Sequence, residues 1–265
     1  MGPPPSSGLE LQAAADELGV HYQTAYRWVR SGRLPASRIA GRYLVDRTDL
    51  DELSAERSEP QATPVPSAAR LSRSAARLYD SLVDGDEPAV RRAVRRLVDE
   101  GAPLLDVVEH VLVPPLRRIG ETWHLGSLSI WVEHRASSIV ERVLGDITPN
   151  PRGRRRGTAV VTAVSGDLHS LPTTMAAVVL RADQWHVHHL GADLPAADVV
   201  QFCSDHDVDL VVITVTNPAL GDQPELAAEL IRRVGVRVLV GGPGRTLTEL
   251  VEAARAGRDQ TDEGH

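Results

Sequence analysis

Apolar positions change their period twice along the chain. Between Leu9 and Leu53 they fall in short groups. Leu11 to Leu18 reads as a short amphipathic helix, Gly19-Val20 as a turn, and about Tyr22 to Ser31 as a second helix, with Ala14, Leu18, Val20, Ala25 and Val29 as a small shared core. Gly32 stops the second helix, "RIAGRYLVDRTDL" alternates across a Gly-Arg turn as a hairpin or wing does, and Thr48 is placed to cap a third helix. From Arg70 to Ile147 the spacing is helical throughout. It predicts helices over about Arg70 to Val83, Pro88 to Asp99, Pro103 to Thr122 and Ile130 to Leu144, with Asp86 and Ser129 as caps and Pro114-Pro115 kinking the third. From Thr158 onward, short continuous apolar runs alternate with helical ones. "GTAVVTAVSGD" reads as a buried strand ending in a loop, "WHVHHLGADLP", "VDLVVITVT" and "VRVLVGGPG" as further strands, and the segments between them as helices, the first starting at about Pro172. The fold class expected is multidomain: an all-α winged helix-turn-helix over 9–53, a tether over 54–69, a four-helix bundle over 70–148, and a doubly wound parallel α/β sheet of Rossmann-like type over 157–257.

Composition narrows the setting. No stretch approaches the apolar length of a membrane span, and "MGPPPSSG" lacks the basic start and apolar core of a secretory signal. The single cysteine, Cys203, leaves no internal disulfide framework and suits a cytoplasmic protein. The formal net charge of −7 means that any contact with nucleic acid has to come from a local patch.

Such a patch exists. Between His21 and Arg47 stand Arg27, Arg30, Arg33, Arg38, Arg42 and Arg47, against one acid, Asp46. Alone, this is a phosphate-binding face or a solvated arginine face on a protein-interaction module. The run "GVHYQTAYRWVRSGRLPA" followed by "GRYLV" closely resembles the excisionase and MerR-type DNA-binding family. That resemblance implies binding of double-stranded operator DNA. It puts the second helix in the major groove, with His21, Tyr22, Gln23 and Arg27 near bases or phosphates, and Arg42 and Tyr43 in the wing on the backbone.

In a doubly wound sheet, ligands bind beyond the C-terminal ends of the strands. "GDLHSLP", "TVTNP" and "GGPG" fall there. In the first, Asp167 stands two residues before His169, the local arrangement by which a carboxylate fixes the tautomer of a metal-ligating imidazole. The order strand, Asp-x-His, helix, "LGADLP", then Gly-Gly resembles the cobalamin-binding domains of methionine synthase, the mutases and related regulators. By that resemblance His169 is the lower cobalt ligand, Thr214 stands for the family's serine, and Gly241 and Gly242 line the path of the cofactor's tail. Two positions depart from the pattern: Pro172 replaces the glycine of Asp-x-His-x-x-Gly, and the family's Ser-x-Leu reads Thr214-Val215-Thr216. His186, His188 and His189 read as strand-surface or packing residues, and Asp193 as a cap or turn residue.

A third cluster lies in the helical segment. The chain has four tryptophans, and two of them fall within "TWHLGSLSIWVEH", Thr122 to His134. Trp123 and Trp131 can be core anchors, with Glu133 and His134 solvated near a helix start. Yet Trp, nine residues, then Glu-His resembles the motif of the light-sensing, MerR-type cobalamin-dependent repressors, the CarH family, and the resemblance runs over nearly the whole chain in the same domain order. It implies adenosylcobalamin as cofactor, capped by the bundle: Trp123 against the adenosyl group, Glu133 and His134 beside it, Ile130 closing the pocket. It implies that His124 takes the upper cobalt position after light, that the dark state is a homotetramer on DNA, and that there is no catalytic turnover. A cobalamin sensor indifferent to light, a corrinoid carrier in methyl transfer, and a protein-interaction regulator with an empty pocket are the rival readings.

Overall fold

The computed structural model describes residues 8–18, 20, 22–30, 34–39, 41–58, 67–147, 150–151 and 153–256. The chain divides into two compact units, Met1–Thr63 and Pro64–His265. Among the described residues, no helix is long and apolar enough to cross a membrane.

The first unit contains helices α1 (Leu11–Glu17), α2 (Tyr22–Arg30) and α3 (Arg47–Ser58), with strands β1 (Leu9–Glu10), β2 (Ser37–Ile39) and β3 (Arg42–Val45). It is therefore not all-α, as its sequence suggested. The expected hairpin forms around Gly41, and Leu9–Glu10 adds a third antiparallel strand to it, giving the order β1-β3-β2. Two residues are too short a run for an alternating pattern to be recognised, so β1 left no signal. Leu11, Ala14, Leu18, Ala25, Leu34, Val45, Leu50 and Leu53 form the buried core, with Val20 and Val29 half-buried against it. The third helix is entered through Asp46, whose carboxylate accepts the Thr48 N–H at 3.0 Å, so the capping role expected of Thr48 belongs to its neighbour. That helix also runs through Ser58, into the first residues of the expected tether. His21, Gly32 and Arg33 lie outside the described residues.

The second unit begins with the bundle: α4 (Ala68–Asp84), α5 (Glu87–Asp99), a third rod, and α8 (Ile130–Ile147). Asp86 caps α5 by accepting the Ala89 N–H at 2.9 Å, as expected. The turn before it needs Gly85, whose φ is +78°. A Cβ there would also lie 2.6 Å from the Arg135 guanidinium, which donates to the Val83 carbonyl at 2.6 Å. The third rod is α6 (Leu104–Val107), one π-helical turn over Val108–Leu112, then α7 (Val113–His124). Pro114 and Pro115 lack N–H groups and their rings crowd the preceding turn, so the disturbance expected mid-helix appears as that widened turn.

The sheet is fully parallel, in the order β5-β4-β6-β7, from β4 (Gly157–Val164), β5 (Trp185–Leu194), β6 (Leu210–Thr214) and β7 (Arg237–Val240). Helices α10 (Ala196–Asp205) and α11 (Gln223–Arg232) cover one face over Val160, Val164, Val211 and Ile213. Helices α9 (Ser170–Ala182) and α12 (Leu247–Ala256) cover the other, over Ala159, Val161 and Val212. The alternate residues of β4 thus serve two different cores, which is why the strand reads as a continuous apolar run. Pro172 is the third residue of α9 rather than its first. A proline fits there because the first turn's N–H groups have no intrahelical acceptor. Met175, Val178 and Val179 of α9 and Val251 of α12 enter the same core as Val107, Val111, Leu112 and Ile139 of the bundle. Bundle and sheet are therefore packed together, and two bundle carboxylates reinforce the seam. Glu109 accepts the Thr248 N–H and hydroxyl at 2.9 and 2.6 Å in the first turn of α12, and Glu141 accepts the Ser170 hydroxyl at the start of α9.

Candidate functional site

Where bundle and sheet meet, a cavity of about 950 Å³ opens over the C-terminal ends of β6 and β7 and the loop after β4. Its size is near the upper end for small-molecule sites. One wall is the bundle, through Trp123, His124, Glu133 and His134. The other comes from the sheet, through His169, Thr214, Thr216, Gly241 and Gly242. Four stretches far apart in sequence thus converge, at the place where the topology of an open α/β sheet puts a ligand. Ile130 does not join them: it is 47% exposed and outside the lining. It is the first residue of α8, so its side chain lies about a turn before Glu133 and His134. Trp131 is no core anchor either. It is 58% exposed, with the Arg135 guanidinium 4.9 Å from its ring centroid.

His169 is the best-prepared group in this cavity. After β4 the chain turns through Gly166, at φ +89°, whose N–H donates to Asp193 Oδ1 at 2.8 Å. Asp193 is therefore the turn-holding residue its position suggested. Asp167 follows and is fully buried. Its Oδ1 accepts from His169 Nδ1 at 3.0 Å and from the Thr216 hydroxyl at 2.6 Å, and its Oδ2 from the N–H groups of Thr216 and Asn217 at 2.6 and 3.3 Å. Burial alone raises a carboxyl pKa. Here the hydrogen bonds from Thr216 and His169 outweigh it and hold Asp167 below its ordinary value, so it is a carboxylate at neutral pH. An ionised carboxylate can only accept, so Nδ1 carries a proton, and the ring's lone pair for ligation can only be on Nε2. The ring itself is 65% exposed, with its free nitrogen available to the cavity. Asp167 does not line the cavity; it acts through His169.

In the sequence Thr216 shows only as a departure from Ser-x-Leu. Its hydroxyl lies 2.9 Å from His169 Nδ1 as well as 2.6 Å from Asp167, so it closes the network from the loop after β6. Thr214, the expected serine substitute, is aimed elsewhere, toward the Thr162 carbonyl at 3.5 Å. The glycines behave differently from those in the turns. Neither Gly241 nor Gly242 has positive φ. Added Cβ atoms would meet protein only at ordinary contact, 3.5 Å or more. The fold therefore does not demand glycine here. What the pair leaves is bare backbone along the cavity wall, open to close approach by a ligand.

On the bundle side, the Trp123 and His124 rings meet edge to face at 4.8 Å between centroids. Glu133 accepts from Ser137 at 2.8 Å and pairs with His134 Nδ1 at 2.7 Å. The strand histidines stay out of the cavity. His189 contacts the Thr173 hydroxyl at 2.7 Å, while His186 and His188 pack edge to face and His188 lies against Phe202.

Residues 157–261 match the B12 binding domain family, residues 74–146 match a second B12 binding domain family, and residues 9–58 match a helix-turn-helix domain family. This is a cobalamin-binding protein with a helix-turn-helix domain. Its cobalamin module is similar to a corrinoid protein of Desulfitobacterium hafniense, 25% identical over 62% of this chain and 81% of that one. It is also similar to a dimethylamine corrinoid protein of Methanosarcina acetivorans, 24% identical over 63% and 81%. In structure it resembles the monomethylamine corrinoid protein of Methanosarcina barkeri, with a TM-score of 0.54 at 18% identity, over 67% of this chain and 95% of that one. The donor set fits the cofactor. One imidazole cannot hold a bare ion against water, but it suits a metal whose other positions a macrocycle already fills.

In the helix-turn-helix domain, Tyr22, Gln23, Arg27 and Arg30 are exposed along α2. Gln23, Arg27 and Arg30 share one stripe, opposite buried Ala25. Among the described residues, Arg27, Arg30 and Arg38 pair with no acid. Arg42 is paired with Glu10, and Arg47 with Glu17 at 2.7 Å, so part of the arginine charge counted in the sequence is offset locally. Tyr43 is half-buried against Tyr26, 5.8 Å between centroids, and so braces the hairpin on α2.

Proposed function

We propose that the protein is a light-responsive, adenosylcobalamin-dependent transcriptional repressor. In this reading it holds operator DNA as a homotetramer in the dark and releases it after photolysis. It is a regulator without turnover rather than an enzyme. The observation that carries the proposal is the shared cavity, with the imidazole of His169 on the sheet wall and Trp123-His124 and Glu133-His134 on the bundle wall. A helix-turn-helix domain in the same chain gives that cavity something to control.

His169, held by Asp167 and Thr216, would hold the cobalt, and Thr214, Gly241 and Gly242 would border the cofactor's tail. Trp123, Glu133 and His134 would enclose the upper ligand. Adenosylcobalamin, when bound, supplies a cobalt–carbon bond that visible light breaks. The protein's part is differential: a bundle wall packed on an upper group is stabilised only while that group is present, so its loss biases the bundle toward a second arrangement. His124, already in contact with Trp123, would be the bundle residue available to hold the metal once that group is lost. Should the bundle also carry subunit contacts, DNA affinity follows assembly through multivalency.

The names of the relatives favour a second reading, a corrinoid carrier in methyl transfer. The arginine stripe on α2 speaks against it, because a shuttle has no use for one. Visible spectra of the protein with adenosylcobalamin, dark and then illuminated, recorded with size-exclusion profiles, decide between the two. The proposal expects binding, a light-driven spectral change and a change of assembly. Binding with assembly indifferent to light would refute it in favour of the carrier or a light-independent sensor.

A further inference from the structure

From His169 the chain runs directly into α9. His169 occupies the N-cap position of that helix, with φ −84° and ψ 104°, and makes no capping bond there; its ring faces Asp167 and Thr216 instead. The side chains that cap well are short and polar and reach back to the first-turn N–H groups. Pro172, the third helical residue, offers no N–H for any acceptor to hold. The N-cap residue of α9 therefore supplies no side-chain bond to its own helix, although it is the residue whose position matters most to the cavity.

The bundle supplies a bond there. Glu141 of α8 accepts the hydroxyl of Ser170, the residue after His169, and brings negative charge to the positive end of α9. Glu133, Ser137 and Glu141 are four residues apart, so they share one stripe of α8, and all three line the cavity. At the start of the stripe Glu133 accepts the Ser137 hydroxyl at 2.8 Å. Its far end, about 12 Å along the helix axis, is Glu141. One helix thus forms the bundle wall beside His134 and is also bonded to the chain neighbour of the imidazole on the opposite wall. The other carboxylate of the seam has no such connection. Glu109 is bonded to Thr248 in the first turn of α12, and neither residue lines the cavity.

We propose that Glu141 is a positioning residue for His169. By holding Ser170 it fixes the start of α9 from the bundle side, while Asp167 and Thr216 fix the ring from the sheet side. A displacement of α8 then moves the imidazole's backbone together with the bundle wall. This rests on the reading that His169 holds the cobalt, and on nothing about light or DNA.

The test is electron paramagnetic resonance of cob(II)alamin bound to the full chain labelled with nitrogen-15 histidine, with binding titrations on the same samples. A labelled protein imidazole on cobalt splits the signal into doublets, whereas the cofactor's own nitrogen-14 base gives triplets. Wild type should show the doublets and His169→Ala should lose them. Glu141→Ala and Ser170→Ala should each bind about three- to tenfold more weakly, with part of the doublet signal lost and far-ultraviolet circular dichroism unchanged. Glu141→Gln, which keeps an acceptor for the hydroxyl, should lose less. Glu141→Ala/Ser170→Ala should be no weaker than the weaker single variant, because one bond is removed only once. Glu109→Ala removes the other seam carboxylate and should keep the full doublet signal. Wild-type affinity and full doublets in Glu141→Ala overturn the proposal. So do additive losses in the double variant, or an equal loss of doublets in Glu109→Ala, which would make Glu141 a seam residue only. Doublets that persist in His169→Ala would defeat the ligand assignment itself, and this proposal with it.

Discussion

Replacing Asp167 by asparagine keeps the volume and removes the charge. The carboxylate accepts from His169 Nδ1 and the Thr216 hydroxyl on one oxygen, and from the N–H groups of Thr216 and Asn217 on the other. Asparagine offers one acceptor oxygen and an NH2 group, which cannot accept. If the oxygen faces Thr216 N–H and Asn217 N–H, the NH2 faces the imidazole Nδ1, and the proton that Asp167 keeps there moves toward Nε2, the atom required for ligation. If it is flipped, two backbone donors in a fully buried setting lose their acceptor, at about 1–3 kcal/mol each. With two donors left unmet in either orientation, we therefore expect a stability loss of about 2–6 kcal/mol, read from urea unfolding of the cofactor-free protein, together with about 10–100-fold weaker corrinoid binding, the usual cost of losing the partner of a metal-ligating histidine. Thr216→Val should show a smaller version of both effects and Thr216→Ser neither, since serine keeps the hydroxyl. The lowered pKa of Asp167 fixes the sign of the pH effect: its stabilisation is complete above the unfolded carboxyl value and is lost as pH falls below that value through the folded one. The Asp167→Asn variant should lack that acid-dependent component. An Asp167→Asn protein with wild-type unfolding and wild-type corrinoid affinity would refute the reasoning.

Three further outcomes are expected. His124→Ala should leave the dark spectrum with adenosylcobalamin unchanged and alter the illuminated one, because the bundle imidazole is gone; identical illuminated spectra would return this helix end to a packing role. Arg27→Ala should weaken operator binding and reduce the slope of log affinity against log salt by about 1 between 50 and 200 mM, leaving cobalamin uptake intact; a salt-independent wild type would count against a phosphate contact. Burial, with neighbouring positive charge, holds His186, His188 and His189 below the ordinary histidine value. The unfolded chain then takes up more protons below about pH 7, so the urea midpoint should fall as pH drops from 7.5 to 5.5 and the fall should be smaller in His188→Gln; a midpoint that does not move would contradict the assignment.

The order of elements was legible in the sequence because it depends on neighbours. A period of 3.6 or a buried apolar run, a capping Asp86, a breaker such as Gly85 and a proline pair are all local, and they fixed the four bundle rods and four parallel strands to within a few residues. The Asp167–His169 pair was legible for the same reason, being two residues apart on one loop. What lay beyond the sequence is whatever depends on distances across the fold. Thr216 supports His169 because β6 is hydrogen-bonded beside β4, a register no local pattern records. Trp123 faces the same cavity as His169 because α9 and α12 share a core with the bundle, and the side chains that dock them, such as Met175 and Val251, look like any other helix interior. Ile130 and Trp131 sit inside the most suggestive stretch of the chain, yet α8 turns both outward. The difference is physical: periodicity and capping are set within a turn or two of chain, whereas a binding site is made where elements meet, and only packing decides which faces those are.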